Sequence, residues 1–480
     1  KIASFEEVIP VAGAKAAAIP ADGTFTNVSP GENKPRALTV VLLDEVNTPF
    51  LDQAYARAQL VKYLSSHLQP SQPVGLMALG ESGLTVLSGF DTEPQALMAA
   101  LKKAGGHVSA MENYDNDAKA IAATGDAQDP VSPGITPGGS PDLMIRRFML
   151  RGNAVAASYN QARAIETTLR AFLQIAWSLS GTPGRKSLVW VTGSFPFYLD
   201  SYTSVPGDNG LRALYERGLQ ALNDAQISVY PVDARGLLTD PTFSGAYTGS
   251  LLPAGASDMA RQSNITSLKT FAAMTGGIAY YNTNDLSGAF GQAVQDSSSY
   301  YLLSYYLDHG DRKTGWRKLQ VEVSRKDAEV RARAGFLVTK ISANPEVTEK
   351  ADVDLALNSP FESTGIPIAQ QWKGVMTKGS KKEVGFVLHV PATGVIDEAD
   401  KNYIDLEFVA QAMSKGAVAG TVSKQFKGNI VPETLAQLKT HGVLYQNFFE
   451  LAPGDYEVHF VVRDNLSGKI GSLIVPLTVF

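Results

Sequence analysis

The sequence contains no cysteine among its 480 residues. This absence excludes thiol catalysis, cysteine-ligated zinc or iron–sulfur sites, and any disulfide framework. It also favours export, because a chain without thiols cannot mispair in an oxidising compartment. We therefore expect a secreted, periplasmic or cell-surface protein whose signal peptide was removed before Lys1.

Long apolar runs, basic clusters and enzyme signatures are missing as well. No apolar run approaches the ~20 residues of a transmembrane helix, so no transmembrane segment is predicted. The net charge is −5 and no Lys/Arg block occurs, which argues against nucleic-acid binding. The six histidines are scattered, and no nucleophile elbow, P-loop or zinc-protease motif is present. We expect no catalytic residues and no enzyme activity.

The longest patterned region, residues 37–338, alternates short apolar runs with stretches of helical spacing. The first run, Leu38–Leu43, is typical of a strand buried on both faces of a parallel sheet. The alternation predicts an α/β domain with a Rossmann-like, mostly parallel central sheet and right-handed crossovers. Two stretches rich in Gly, Pro and Ser, near 106–150 and 236–262, are interpreted as insertions.

Near the end of this region the hydrophobic period changes to two. We predict three antiparallel strands at one edge of the sheet, at Tyr300–Leu307, Arg317–Ser324 and Glu329–Ala334. A polar linker is predicted at 339–350. Residues 351–480, beginning with a strand at Asp352–Leu357, show alternation and turns that predict a C-terminal immunoglobulin-like β-sandwich.

Residues 1–36 are interpreted as an N-terminal strand followed by a linker. The strand carries the apolar side chains of Ile2, Phe5, Val8 and Ile9. Such a strand on a tether can pair with an open sheet edge of another copy and act as an assembly strand. The alternative is that it folds back onto its own chain.

Six motifs occur in a characteristic order along residues 37–338. They are Val40–Thr48, Arg185–Gly193, Val229–Gly236, Met274–Gly277 followed by Asn282–Asp285, Ser299–Tyr305, and Val330–Phe336. Together they resemble the von Willebrand factor A-related proteins of the acidobacterial type, the VWFA-related family. The segments Leu451–Tyr456 and Arg463–Gly468 are similar to the β-rich tail of such proteins, and Lys1–Phe5 is similar to the end of a β-rich region that precedes the A-type domain.

The resemblance implies an exported protein with a Rossmann-like A-type fold. The wider superfamily binds proteins or matrix through a metal site at the carboxyl ends of the sheet strands. Its ligand pattern is Asp-x-Ser-x-Ser after the first strand, a distant Thr, and an Asp after the fourth strand. Here Asp44 matches and Thr48 can replace the second Ser, but the side chain of Val46 cannot bind a metal. Gly193 stands where the second Asp is expected.

The surviving ligands predict a degenerate site that binds Mg²⁺ or Mn²⁺ weakly. The alternative is that Asp44 and Thr48 cap the following helix or bond the backbone of the turn. Asn47, Asp233 and Arg235 are candidates for a binding face, because they follow strands at the usual ligand edge of an open sheet. For Asp233 and Arg235, a structural salt bridge is the alternative.

Tyrosines are concentrated around the last strands of the α/β region, at 280, 281, 300, 301, 305 and 306. They predict either burial under the neighbouring hairpin or an exposed face for self-association or ligand binding. From these features we expect an exported, non-catalytic protein-binding, adhesion or assembly module. Its partner would be a protein, with a homo-oligomer or filament as the product. The alternative is a metal-dependent ligand-binding domain that uses Mg²⁺ or Mn²⁺; no other cofactor is expected.

Overall fold

The computed structural model describes residues 2–9, 23–28, 37–68, 73–105, 141–195, 209–236, 256–296, 299–306, 315–338, 345–394 and 403–480. The core of each predicted insertion and the first residues of the predicted linker, 339–344, lie outside these ranges. No helix in the described ranges is both long enough and apolar enough to cross a membrane.

A five-stranded sheet forms the centre of the first half of the chain. Its strands are β3 (Leu38–Asp44), β4 (Val74–Gly80), β5 (Gly83–Asp91), β6 (Lys186–Thr192) and β7 (Ile227–Asp233). The order is β5-β4-β3-β6-β7, with four parallel strands and β5 antiparallel at the edge. All residues of β3, β6 and β7 are buried, as expected for strands covered on both faces. The predicted α/β organisation is confirmed.

Helices cover both faces of this sheet. They are α1 (Phe50–Ser66), α2 (Pro94–Lys103), α3 (Pro141–Leu179), α4 (Asn209–Asp224), α5 (Ala256–Thr275) and α6 (Leu286–Gln295). Because successive residues of β3 point to opposite faces, Val40 packs with α3, α4 and α5, and Val41 packs with α1, α2 and α6. The result is a doubly wound layer structure whose strand ends are shared by both helix layers.

Two four-stranded antiparallel sheets form the C-terminal part. Their strands are β2 (Phe25–Thr26), β11 (Ala369–Lys378), β12 (Lys381–Val390), β13 (Tyr403–Ser414), β14 (Ala417–Asn429), β15 (Val443–Leu451), β16 (Gly454–Asp464) and β17 (Ile470–Val479). One sheet has the order β15-β12-β11-β2 and the other β14-β13-β16-β17. Phe386 and Phe449 of one sheet share a core with Phe408 and Phe460 of the other. The C-terminal region is β-rich as predicted, with one further helix, α8 (Pro432–His441); the immunoglobulin-like assignment stays a prediction.

The N-terminal segment contacts both halves of the chain. Strand β1 (Ile2–Val8) pairs antiparallel with β8 (Tyr300–Tyr305), and β2 pairs with β11. Asn27, buried beside β2, donates to the carbonyls of Ser363 (2.7 Å) and Ile366 (2.9 Å) and accepts from the backbone N–H of Ile368 (2.8 Å). Of the two interpretations of the N-terminal strand, the structure therefore shows the fold-back onto its own chain.

Three predicted strands differ from the structure. The segment predicted as a strand at Asp352–Leu357 belongs to helix α7 (Pro345–Leu357), which also occupies the end of the predicted linker. Its apolar residues Val353, Ala356 and Leu357 have i, i+3, i+4 spacing and are buried, so a helix places all three in the core.

Residues 319–334 form no strand; only β9 (Gly315–Lys318) and β10 (Gly335–Val338) pair there. The predictions at Arg317–Ser324 and Glu329–Ala334 are therefore wrong over most of their length. The segment is dense in charged residues, and the side chains of two of them bond to residues outside the β9–β10 hairpin. Arg331 pairs with Asp296 at 2.7 Å, and Arg333 donates to the carbonyl of Asn223 at 2.9 Å.

Helix α7 joins the α/β part to the β-sandwich. Its buried side chains contact Trp177 of α3 on one side and Val461 of β16 on the other. Asp352, which is buried, accepts from Arg217 of α4 and from Arg463 of β16, whose Nη2 lies at 3.0 Å. A carboxylate that pairs with both parts fixes α7 between them.

Candidate functional site

The predicted site lies where β3 and β6 end next to each other. After β3 the chain adds β4 on one side and β6 on the other, so the strand order changes direction between β3 and β6. Ligand sites of open α/β sheets occur at the carboxyl ends of the strands at such a point. The last residue of β3, Asp44, lies at this position, and the following loop adds Glu45, Asn47 and Thr48; all four are buried.

Asp44 is the centre of a hydrogen-bond network, and its side chain accepts four bonds. Oδ1 accepts from the backbone N–H of Asn47 at 3.0 Å. Oδ2 accepts from Asn47 Nδ2 (2.8 Å), Trp190 Nε1 (3.0 Å) and Thr192 Oγ1 (3.0 Å), whose single hydrogen is shared with the carbonyl of Ser194 at the same distance. The indole, amide and backbone N–H groups can only donate, so the surroundings are suited to a carboxylate. Asp44 thus links the loop, β6 and the core.

Burial and hydrogen bonding act on Asp44 in opposite directions. With 1% of the residue exposed, desolvation raises the pKa of Asp44, and the bonds from Asn47, Trp190 and Thr192 oppose that rise without cancelling it. Arg57 forms its ion pair with the next residue, Glu45. The charge of Asp44 is therefore stabilised by dipoles of neutral donors.

Thr48 and Asn47 complete the network. Thr48 Oγ1 accepts from the backbone N–H of Gly193 at 2.8 Å, and Asn47 Nδ2 lies 2.8 Å from Thr168 Oγ1 of α3. The N-cap residue of α1 is Pro49, and no side chain at this position accepts a hydrogen bond from the first turn of the helix. Of the roles foreseen for Asp44 and Thr48, bonding to backbone is therefore present and helix capping is not.

Three residues of the network, Trp190, Thr192 and Thr168, were not predicted as site residues from the sequence. Trp190 is fully buried, and a buried indole N–H needs an acceptor; this need was the available signal. Thr168 lies in the middle of a helix and carried no local signal, because its contact with Asn47 spans 121 positions of sequence.

Gly193 lies where the A-type metal-site pattern has its second Asp, and its surroundings are crowded. A Cβ at this position would lie 3.0 Å from the carbonyl oxygen of Asn47 and 3.0 Å from Cδ of Pro49. The loop after β3 packs so closely on Gly193 that a carboxylate side chain would displace it. The loop therefore occupies the space that a second carboxylate ligand would need.

The residues present do not fit a divalent cation. Mg²⁺ requires about six oxygen ligands in octahedral geometry, with carboxylates to balance its charge. Both oxygens of Asp44 and the hydroxyl of Thr48 already accept hydrogen bonds, and Asn47 Oδ1 is the one buried side-chain oxygen of the loop without a hydrogen-bond partner. In the described part of the chain, no three His, Cys, Asp or Glu side chains cluster as metal ligands.

A pocket beside the network is small. Leu43, Asp44, Thr48, Gln53 and Arg57 are among its lining residues, and its free volume is about 10 Å³. This volume holds about one water molecule. A site for an organic substrate needs several hundred Å³ at least, about 300 or more. The pocket therefore provides no substrate site.

Asp233 and Arg235 form a salt bridge at the end of β7. Arg235 donates from Nη2 to Asp233 Oδ2 at 2.7 Å and from Nε to Oδ1 at 2.9 Å. The backbone N–H of Arg235 adds a third bond to Oδ1. With both oxygens engaged, Asp233 serves the turn after β7, which is the structural alternative foreseen for this pair.

The predicted assembly strand lies in an exposed ribbon of two strands. We call β1 and β8, with the following Ile9 and Tyr306, the aromatic ribbon. Six of the seven residues of β1 are exposed. Phe5 and Tyr301 are 65% and 59% exposed and stack with their ring centroids 5.3 Å apart. Val8, in contrast, is buried, and Tyr300 Oη accepts from the backbone N–H of Arg185 at 3.0 Å.

The ribbon is therefore attached at the end where Val8 pairs with Tyr300, and β1 is exposed on both faces over the rest of its length. Among the strands that the structure describes, β1 and β8 pair only with each other, so each has an open outer edge. Tyr280 belongs elsewhere, since it bridges to Val232 of β7. The predicted tyrosine cluster is thus divided between the central sheet and the ribbon.

Comparisons with known proteins give little guidance. No protein-family model matches the chain, and a search of curated proteins finds no significant match. Among solved structures, the N-terminal domain of TFIIH p34 gives a TM-score of 0.18 and 11% identity, over 41% of this chain and 79% of that chain. The VWA domain of SpRpn10 gives a TM-score of 0.17 and 11% identity, over 41% of this chain and 88% of that chain. Similarities this low carry no argument, and membership of the VWFA-related family stays a prediction.

Proposed function

We propose that the chain is an exported, non-catalytic protein-binding module of the assembly or adhesion type, built on a von Willebrand factor A-like domain. Its first partner is another copy of itself, and the contact surface is the aromatic ribbon. The product is a homo-oligomer, with a filament as its extended form. The observation that carries the proposal is the solvent-exposed stack of Phe5 on Tyr301, in a sheet whose two strands pair only with each other among the strands that the structure describes.

Exposed apolar surface of this kind favours association. A pair of aromatic rings held rigidly on a sheet offers contact area at low cost in conformational entropy. Open strand edges add unpaired backbone N–H and C=O groups that a strand of another chain can satisfy. The strand-end network supports the non-catalytic part of the proposal, because its polar groups bond to one another and its pocket holds about one water.

The proposal is tested by the native mass of the purified chain, measured by light scattering over a concentration series. We expect the wild-type chain to associate and Phe5→Ser/Tyr301→Ser to stay monomeric. The matched control is Val375→Ser/Met376→Ser, which removes two side chains of similar exposure, 57% and 64%, from the β11–β12 hairpin. The control should associate like the wild type. A wild-type chain that is monomeric at every concentration, or equal loss of association in both variants, overturns the proposal.

A further inference from the structure

Strand β1 is held to the rest of the protein by few contacts. Within β1 only Val8 is buried; the strand forms a ladder with β8, and Phe5 stacks on Tyr301. Segments with little buried apolar surface and exposed backbone hydrogen bonds open at the low end of a protein's range of local stabilities. Detachment of β1 therefore leaves both hydrophobic cores of the α/β part intact.

The other end of the N-terminal segment is fixed. Asn27 is buried and makes three hydrogen bonds to the chain between Ser363 and Ile368, and β2 pairs with β11. Residues 9–24 connect the two strands, and their contour length reaches ~50 Å when extended. A detached β1 thus stays tethered to its own sandwich, within reach of a neighbouring molecule.

When β1 detaches, it exposes an edge of β8 that the β1 strand of a second copy fits. Strand β8 offers an edge whose register is set by pairs from Ile2 with Tyr305 to Val8 with Tyr300. The β1 strand of a second copy reproduces every one of these contacts, because the two chains are identical. No new complementarity is required for the exchange, and each chain offers one strand and one edge.

We propose that β1 is an exchangeable strand, which closes on its own β8 in the monomer and on β8 of a second copy in the assembly. The inference rests on the proposed self-association and specifies its mechanism. A reciprocal exchange gives a closed dimer, and a head-to-tail exchange gives an open chain of subunits. Addition of a neighbour's strand to the outer edge of an intact ribbon is the competing mechanism.

The absence of native cysteine allows a direct test by disulfide trapping. Ser4 and Ser304 face each other in the β1–β8 register, and both are exposed. Directly opposite residues of antiparallel strands have Cα atoms about 4.5–5.5 Å apart, which suits a disulfide. Ser4→Cys and Ser304→Cys therefore form a bond across the ribbon without changing a buried side chain.

The experiment mixes a Ser4→Cys chain with a mass-tagged Ser304→Cys chain, lets them associate, and oxidises the mixture. We expect a covalent dimer of one chain of each kind, several-fold above a control in which Ser324→Cys, another exposed serine, replaces Ser304→Cys. The double variant Ser4→Cys/Ser304→Cys should form bridges between chains in the associated fraction and within chains in the monomeric fraction.

Two results overturn the exchange, and they differ in what they say about self-association. If the chains associate but every Ser4–Ser304 bridge lies within one chain, exchange is wrong and addition at the open edge replaces it. If the chains stay monomeric and the double variant bridges internally, both the exchange and the proposed self-association are wrong. Native mass, measured on the same samples, separates the two cases.

Discussion

Replacement of Asp44 by asparagine distinguishes a structural carboxylate from a metal ligand. In the structure, three donors converge on Oδ2 and one on Oδ1. The amide oxygen of the variant therefore takes the place of Oδ2, and the amide NH₂ faces the backbone N–H of Asn47. The backbone N–H of Asn47 and the new NH₂ group are then both donors without an acceptor, and each unsatisfied buried donor costs about 1–3 kcal/mol.

Two further effects modify this value. Loss of the negative charge weakens the three remaining bonds, since bonds to charged groups contribute about 1.5–3 kcal/mol each and neutral ones about 0.5–1.5 kcal/mol. Relief of the buried charge acts in the other direction, as the raised pKa of Asp44 shows. We expect Asp44→Asn to lower the free energy of unfolding by ~2–3 kcal/mol. Asp44→Ala removes the acceptor of the indole N–H of Trp190 and of two N–H groups of Asn47, while the hydroxyl of Thr192 keeps the carbonyl of Ser194, so it should cost more, ~3–5 kcal/mol.

Urea unfolding, followed by tryptophan fluorescence, measures the free energy of unfolding of each variant. Measurements first in chelator and then in Mg²⁺ show whether the metal changes it. The exposed Asp455→Asn is the control and should change stability by less than ~0.5 kcal/mol. Mg²⁺ should leave the wild-type midpoint unchanged. If Asp44 were a metal ligand, both results would be reversed, because an acidic ligand buried without its cation is unfavourable. An Asp44→Asn variant more stable than wild type in chelator, with stabilisation of wild type by Mg²⁺, would refute the reasoning.

Three further predictions concern the parts around the site. Burial lowers the pKa of Lys186 to about 7 in the folded state, so the unfolded state binds more protons above that pH. Stability should rise by up to ~2 kcal/mol from about pH 7 to about pH 9, and Lys186→Met should abolish the rise in denaturation curves. Asp352→Asn should cost ~3–5 kcal/mol, because it removes the buried negative charge that pairs with Arg217 and Arg463 at the junction, whereas Glu166→Gln, in a half-exposed pair with Arg170, should cost under ~0.5 kcal/mol in the same assay. Asn27→Ala should cost ~1–3 kcal/mol and accelerate proteolysis of the N-terminal segment; unchanged proteolysis would contradict the anchoring role.

The central sheet could be predicted because its strands carry a local signal. Leu38–Asp44 and Lys186–Thr192 are short runs of mostly apolar, β-branched residues, and the structure buries every one of their side chains. Strands covered on both faces need no cross-strand information to be recognised. The same locality made Asp44 and Thr48 recognisable as strand-end residues.

Features that depend on distant contacts could not be predicted. In Asp352–Leu357 the apolar residues at 353, 355 and 357 fit a strand as well as 353, 356 and 357 fit a helix. Packing of Val353 and Leu357 in one buried cluster with Trp177 and Val461 stabilises the helical conformation. Neither of these two partners is near in sequence. The fixed position of β2 likewise depends on Asn27 bonding to residues more than 300 positions away.

The strand-end network shows a second limit. A sequence pattern identifies oxygen ligands by type, but it does not show whether those oxygens are already used. Asp44 appeared as a ligand because its position matches the pattern, and its acceptor capacity is taken up by Asn47, Trp190 and Thr192. The close approach of the loop to Gly193, which removes the space for a second carboxylate, is visible only in three dimensions.

Sedimentation velocity of the wild-type chain over a concentration series, with chelator and with Mg²⁺, tests the central claim most directly. Association through the aromatic ribbon predicts a weight-average mass that rises above the 51.2 kDa monomer and is the same in both buffers. A mass that stays at the monomer value, or that rises only when Mg²⁺ is present, would contradict the account.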